Sequence, residues 1–216
     1  MNKAVIFDLD GTLLNTLGDL TAAVNHALSD QGFPTRTEAQ VRTFVGDGVK
    51  ELIARACPPG TDAETQAAVL AAYLPYYADH NMDRTAPYPG VMDLLSDLKA
   101  AGYRLGVVSN KHDAGVQTLC AHIFGAFLDV AVGNDGTRPL KPAPDGLLYA
   151  LEQMGISPEN AWYVGDSAVD VQTAHAAGVK CVAAAWGFQD IERLMGENPA
   201  ALARKAVDVK AVVLGK

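Results

Sequence analysis

The sequence predicts an α/β fold: a parallel sheet flanked by helices, with a small all-helical cap inserted after the first strand. Three observations point there. Short apolar runs rich in β-formers recur along the chain and end abruptly in polar residues or glycine, as buried parallel strands do. Between them lie segments with apolar residues three and four apart, and alternating strand and helix implies a parallel sheet with helices on both faces. After the first run, helical periodicity holds for about seventy residues without a strand.

The first strand is Ala4-Val5-Ile6-Phe7, too short for an independent helix and closed by Asp8-Leu9-Asp10-Gly11-Thr12. Leu17, Leu20, Val24, Ala27 and Leu28 then make one helical face. Thr37 with Gln40 reads as a capping box ahead of Val41, Phe44 and Val45. Val49, Leu52, Ile53 and Ala56 mark a third helix, ended by Cys57-Pro58-Pro59-Gly60. A fourth runs roughly from Asp62 to His80 and is expected to kink at Pro75. No strand is expected between Leu14 and Arg84.

Pro87 and Pro89-Gly90 punctuate the return to alternation. Val91, Leu94, Leu95 and Leu98 form a helix stopped by Gly102, and Arg104 to Val108 reads as a strand ending in Ser109-Asn110-Lys111. A helix over Ala114 to Ile123, a strand over Leu128 to Val132 and a polar loop with Lys141-Pro142 follow. Asp145 to Met154 is helical and closed by Gly155. The strand Ala161 to Val164 ends in Gly165-Asp166-Ser167, a helix runs to Ala177 with Gly178 as its stop, and Lys180 to Ala185 is a further strand. In the tail, Ile191, Leu194 and Met195 suggest a helix, while Val207 to Leu214 fits strand or helix equally. Residues 1–14 and 86–216 thus form a Rossmann-like core, and 15–85 a cap over its crevice.

A chain of 216 residues with 49% apolar content and a formal charge of −8 describes a globular protein that buries a sizeable core. With no Lys/Arg-rich run, that charge argues against nucleic acid as a partner. No stretch reaches the length of a membrane span, and a strand with a carboxylate at position 8 does not fit a signal peptide. The expected location is cytoplasmic. Cys57, Cys120 and Cys181 are odd in number and widely spaced, which reads as buried or incidental thiols in a reducing compartment.

Four strand ends carry polar groups: Asp8 with Asp10, Ser109 with Asn110, the loop to Lys141, and Asp166 with Asp170. In a parallel sheet these converge on one crevice. Asp8 and Asp10, two apart in extended backbone, lean to the same side and repel unless a proton or a cation intervenes. Mg²⁺ is the usual cation where carboxylates face a phosphate. Taken singly, each motif has an ordinary structural reading: a solvated Asp-x-Asp-Gly turn, a Ser-Asn turn, a lysine before a rigid bend, a helix cap at Gly165-Asp166-Ser167. Falling in order after successive strands, they make a set complete for phosphoryl transfer.

Asp8-Leu9-Asp10-Gly11-Thr12-Leu13 resembles the first motif of the haloacid dehalogenase-like hydrolases, and the Ser109, Lys141 and Gly165-to-Asp170 segments match the family's other motifs in order. The resemblance covers nearly the whole chain. It implies that Asp8 is the nucleophile and Asp10 the general acid/base, and that Thr12, Ser109, Asn110 and Lys141 bind the phosphoryl group. It also implies Mg²⁺ held by Asp8, the carbonyl of Asp10 and Asp166, with Asp170 adjacent or acting through water. A helical cap after the first motif resembles the subgroup of phosphoglycolate phosphatases and β-phosphoglucomutases. Phe44-Val45-Gly46-Asp47-Gly48, Ser109-Asn110-Lys111 and Trp186-Gly187-Phe188 look most like the phosphoglycolate phosphatase branch. Asn15 departs from the Asp that many relatives carry, outside the catalytic set.

What the resemblance implies is a Mg²⁺-dependent phosphatase acting through an aspartyl phosphate on a small phosphorylated metabolite, as a monomer or homodimer. A phosphomutase shares nucleophile, acid/base and metal and is the main alternative. A phosphoreceiver signalling module lacks the helical insert, and a dehalogenase has no need of Asp10. In the cap, Gly46, Asp47 and Gly48 are expected to approach the substrate, and Lys50 or Arg55 are candidates for a substrate carboxylate, set against a solvated helix face.

Overall fold

The computed structural model describes residues 3–215, so residues 1, 2 and 216 of the expected core lie outside it. In chain order, β1 (Lys3–Phe7) and the two-residue β2 (Leu14–Asn15) precede four helices: α1 (Leu17–Asp30), α2 (Glu38–Phe44), α3 (Val49–Ala56) and α4 (Ala63–His80). After β3 (Ala86–Pro87) come α5 (Val91–Ala100), β4 (Tyr103–His112), α6 (Asp113–Leu119), β5 (Val130–Asn134) and α7 (Asp145–Met154). The chain closes with β6 (Ala161–Gly165), α8 (Ala168–Ala176), β7 (Lys180–Ala184), α9 (Ile191–Gly196), β8 (Ala201–Ala203) and α10 (Ala206–Leu214).

Six strands form a single parallel sheet in the order β5-β4-β1-β6-β7-β8. β1 therefore lies between β4 and β6, buried on both faces. Its side chains alternate: Val5 and Phe7 join a core with Leu94, Leu98 and Val209 of α5 and α10, while Ala4 and Ile6 join one with Leu147 and Val171 of α7 and α8. Burying a side chain such as Phe7 completely contributes roughly 1.5–3 kcal/mol. Register then positions the chemistry. Phe7 stands level with Val107 and Val164, so Asp8, Ser109 and Asp166 all leave the sheet at the same edge.

The cap helices have a core of their own, with Leu20, Val24 and Leu28 of α1 against Val41, Ile53, Val69 and Tyr73. The expected caps are present: Thr37 and Gln40 make the reciprocal box, and Asp62 caps α4, which continues through Pro75. At the neck Asp19 is buried and accepts from the amides of Arg84 and Thr85 and from the Thr85 hydroxyl, tying α1 to the returning strand.

Three expectations need correction. A strand does occur at the edge of the helical block, because Leu14–Asn15 pairs antiparallel with Ala86–Pro87 across the neck; two-residue pairing is too short to leave a period. β4 runs past Val108 to His112 with a register shift, so Ser109 to Lys111 lie within a bulged strand end instead of following a strand that stops at Val108. In the tail, Val207 to Leu214 is helical, and Ala201–Ala203 adds a sixth strand that alanine-rich sequence does not announce. Cys57, Cys120 and Cys181 are buried and free. Among the described residues no helix is long and apolar enough to cross a membrane.

Candidate active site

At the sheet's C-terminal edge, below the cap, lies a cavity of about 320 Å³. Its floor includes Asp8, Asp10, Ser109, Lys141 and Asp166; its cap wall includes Gly46, Gly48, Leu52, Tyr73 and Tyr77.

The floor centres on one ammonium. Lys141 is buried, with Nζ donating to Asp8 Oδ1 at 2.8 Å, Asp170 Oδ1 at 2.7 Å and the Tyr163 hydroxyl at 3.1 Å. All three of its donors are spent. The Lys141 backbone is held in turn by Asn110, whose side-chain amide accepts from the Lys141 N–H at 2.8 Å and donates to its carbonyl at 3.1 Å. That side chain also donates to Gly46 O of the cap. Asn110 thus positions Lys141 and the cap loop through its side chain, a role its sequence neighbourhood did not announce.

Asp170 is fully buried and both its oxygens are engaged. Oδ1 meets Lys141 and Tyr163; Oδ2 accepts from the amide and hydroxyl of Ser167, the N-cap of α8. Asp166 sits beside it. Thr12 donates its hydroxyl to Asp166 Oδ1 at 3.1 Å, and the Phe188 amide donates to Oδ2 at 2.6 Å. Thr12, expected among the phosphate-binding groups, is fully buried and supports Asp166 instead. The first motif's glycine has a concrete reason: Gly11 holds φ +88°, and a Cβ there would overlap the Asp166 carboxylate. Gly187 leaves room on another side of the same group.

Asp8, Asp166 and Asp170 each place a carboxylate oxygen within 4.8 Å of the others, with Lys141 the single ammonium among them. Burial pushes Asp8 up to about 7, with Lys141 pulling it down and Asp170 adding to the rise. Burial, then the charges of Asp170 and Asp8, drive Asp166 well above the usual carboxylate range. Lys141 goes the other way: burial opposes its charge, but Asp170 and Asp8 outweigh it and hold the ammonium. Excess negative charge on rigid, glycine-flanked oxygens is a donor set for a hard divalent cation.

A model of the haloacid dehalogenase-like hydrolases matches residues 5–184. The chain belongs to this family. Among its relatives are phosphoglycolate phosphatase 1 of Pseudomonas aeruginosa, 37% identical over 203 residues covering 91% of this chain and 74% of that protein. The phosphoglycolate phosphatase of Rhodospirillum rubrum is 40% identical over 198 residues, covering 87% and 81%. A crystal structure from Lactobacillus delbrueckii subsp. bulgaricus, assigned as a phosphoglycolate phosphatase, superposes over 100% of both chains with a TM-score of 0.94 at 32% identity. CbbY of Rhodobacter sphaeroides, solved in complex with phosphate, has a TM-score of 0.74 at 28% identity over 97% of this chain and 96% of its own.

Elsewhere in this family member's site, the cap differs from expectation. Gly46 and Gly48 line the cavity with φ of +128° and +87°, but Asp47 turns to Arg55 at 2.6 Å. Arg55 is further held by Phe44 O, Lys50 is exposed, and neither lines the cavity. The cap is fastened from another residue, Arg42, which donates to the carbonyls of Gly187 and Phe188. Lys111, quoted from the sequence within Ser109-Asn110-Lys111 but given no role there, also reaches the cavity. Its Nζ lies 3.1 Å from each oxygen of Asp10 and 2.6 Å from the hydroxyl of Tyr77 on α4.

Proposed function

We propose that this hydrolase is a Mg²⁺-dependent phosphatase of a small phosphate monoester, phosphoglycolate or a close analogue, working through an aspartyl phosphate on Asp8 in the cytoplasm, as a monomer or homodimer. The observation that carries the reading is Lys141: one buried ammonium joins Asp8, at the end of the central strand, to Asp170, while Asp10 stands separately with its own partner. Two neighbouring carboxylates in different electrostatic settings are suited to different tasks. The names of the relatives favour phosphoglycolate, and three free, buried thiols suit a reducing compartment. Residues 15–85 act as the cap and 1–14 with 86–216 as the catalytic core.

Asp8 Oδ1 is held by Lys141, which leaves Oδ2 to attack phosphorus as the ester P–O bond breaks. Asp10 gives its proton to the departing oxygen. It then takes a proton from the water that attacks the phosphoaspartate, so that phosphate leaves and the Asp8 carboxylate returns. Ser109 contacts the phosphoryl oxygens, Lys141 adds positive charge beside them through its hold on Asp8, and the cap excludes bulk water. Asp8, the Asp10 carbonyl and Asp166 would hold Mg²⁺, with Asp170 fixing Lys141 and Ser167 behind them. Bound there, the ion would supply positive charge to the phosphoryl group.

The test is the pair Asp8→Asn and Asp10→Asn with an activated ester whose leaving group needs no proton. Asp10→Asn should slow the water step by roughly 10²- to 10⁴-fold and accumulate one phosphoryl group on Asp8, visible by intact mass after acid quench. Asp8→Asn should show none. An adduct that survives Asp8→Asn, or maps to Ser109, overturns the assignment; transfer to a second sugar hydroxyl in place of phosphate release would favour a mutase.

A further inference from the structure

The geometry points to Lys111, with the hydroxyl of Tyr77, as the docking point for a second anionic group on the substrate's tail, a place that Asp10 holds while no substrate is bound. The inference rests on the phosphatase reading and specifies the class of ester: a phosphate monoester whose short tail ends in an anion.

Among the residues lining the cavity, the ammonium groups are Lys111 and Lys141. Lys141 is spent on Asp8, Asp170 and Tyr163, all parts of the floor that stay in place. Lys111 is spent differently: two donors go to Asp10 and the third to Tyr77, whose ring also lies 4.5 Å from Nζ. The Lys111 side chain is 6% exposed, so its charge has little water to fall back on. Tyr77 comes from the cap and fixes Nζ from above, independently of Asp10. Stacked on Tyr73 at 5.4 Å, it is itself held in place.

Asp10 is the one partner of Lys111 that has other work. To serve the departing oxygen it must turn a carboxyl oxygen toward the phosphoryl group, and doing so breaks its two-pronged contact with Lys111. A buried ammonium released in this way needs a new anion. A carboxylate on the substrate's tail supplies one, and by taking Lys111 it frees Asp10 for the reaction. Binding of the right substrate therefore assembles the acid/base, whereas an ester without the second anion must pull Asp10 away from Lys111 uncompensated. The rest of the cap wall, Leu20, Leu52, Leu74 and Tyr73 among it, offers no rival cation.

The experiment compares phosphoglycolate with ethyl phosphate, which has the same reach and no carboxylate. The unmutated enzyme should favour phosphoglycolate in kcat/KM by roughly 10²-fold, since truncating one member of a buried charge pair costs on that scale. Lys111→Met should collapse that preference, mainly through KM for phosphoglycolate; Lys111→Arg should keep most of it, and Tyr77→Phe should lower it partially. A preference near one in the unmutated enzyme overturns the inference without reliance on any variant folding. So does an unchanged preference in Lys111→Met, whether both esters decline together or neither does. Absence of phosphate release from every ester tried removes the phosphatase reading, and this inference with it; loss of the preference alone removes only the inference.

Discussion

Replacing Gly187 with alanine tests the metal-holding role proposed for Asp166 without replacing any functional side chain. Gly187 has an ordinary φ, so the substitution adds no backbone strain; its effect is the space a methyl takes. That methyl would lie well inside 3.0 Å of the Cβ, Cγ and Oδ2 of Asp166, closer than real Cβ contacts come. In a close-packed interior the carboxylate has to retreat by roughly an ångström. Misplacement on that scale costs about 10²-fold in turnover. The retreat also weakens the 2.6 Å bond from the Phe188 amide, and a buried donor left unmet costs about 1–3 kcal/mol. For a chain of this size that lowers Tm by roughly 2–12 °C. The control is Gly196→Ala at the end of α9, where nothing lies within 4 Å of the added carbon, and which should stay within about 0.5 kcal/mol of the parent. The assay is phosphate release as a function of Mg²⁺ concentration, paired with thermal melts. Gly187→Ala with parental turnover at parental Mg²⁺ demand would refute the role given to Asp166.

Lys141→Met should abolish turnover and destabilise the fold by about 3–5 kcal/mol, because it strands Asp8 and Asp170 without their buried cation; urea melts showing parental stability would contradict this. Chelated protein should lose stability as pH rises from about 4 to 7. Asp8 is raised to about 7 by burial, so across that window the unfolded chain sheds a proton that the native state retains, an effect of at most about 4 kcal/mol, with Asp166 acting in the same direction. Mg²⁺ should remove the slope; urea midpoints equal at pH 5 and pH 7.5 in chelator, with no gain on adding Mg²⁺, would count against an acidic cation site.

The fold was legible where burial imposes a period. Ala4 to Phe7 is apolar on both faces because β1 is central, and Leu17 through Leu28 repeats at helical spacing because only one face of α1 meets the cap core. Legibility failed where pairing is too short or too weakly patterned to show. β8 is three residues, alanine at both ends, and exists because Val182 to Ala184 offers it an edge. β2 and β3 are held by each other across the neck, with seventy residues of chain between them.

In the site the same division follows from how each residue gets its role. Asp8, Ser109, Lys141 and Asp166 could be found because a parallel sheet delivers every strand end to one edge, so topology alone predicts their meeting. Tyr163 lies mid-strand and reads as core, yet its hydroxyl completes the ring around Lys141. Lys50 and Arg55 drew attention because they are cations on the helix after a glycine loop, but α3 turns its apolar residue Leu52 to the cavity and leaves Arg55 to Asp47. Lys111 had no such signal, since its meaning depends on Tyr77 from α4 arriving above it and Asp10 from the end of β1 arriving beside it. Lys111 stands on the same sheet as Asp8, so its distance to Asp8 is set by strand pairing and not by the cap, and among its side-chain partners Tyr77 is the one the cap supplies.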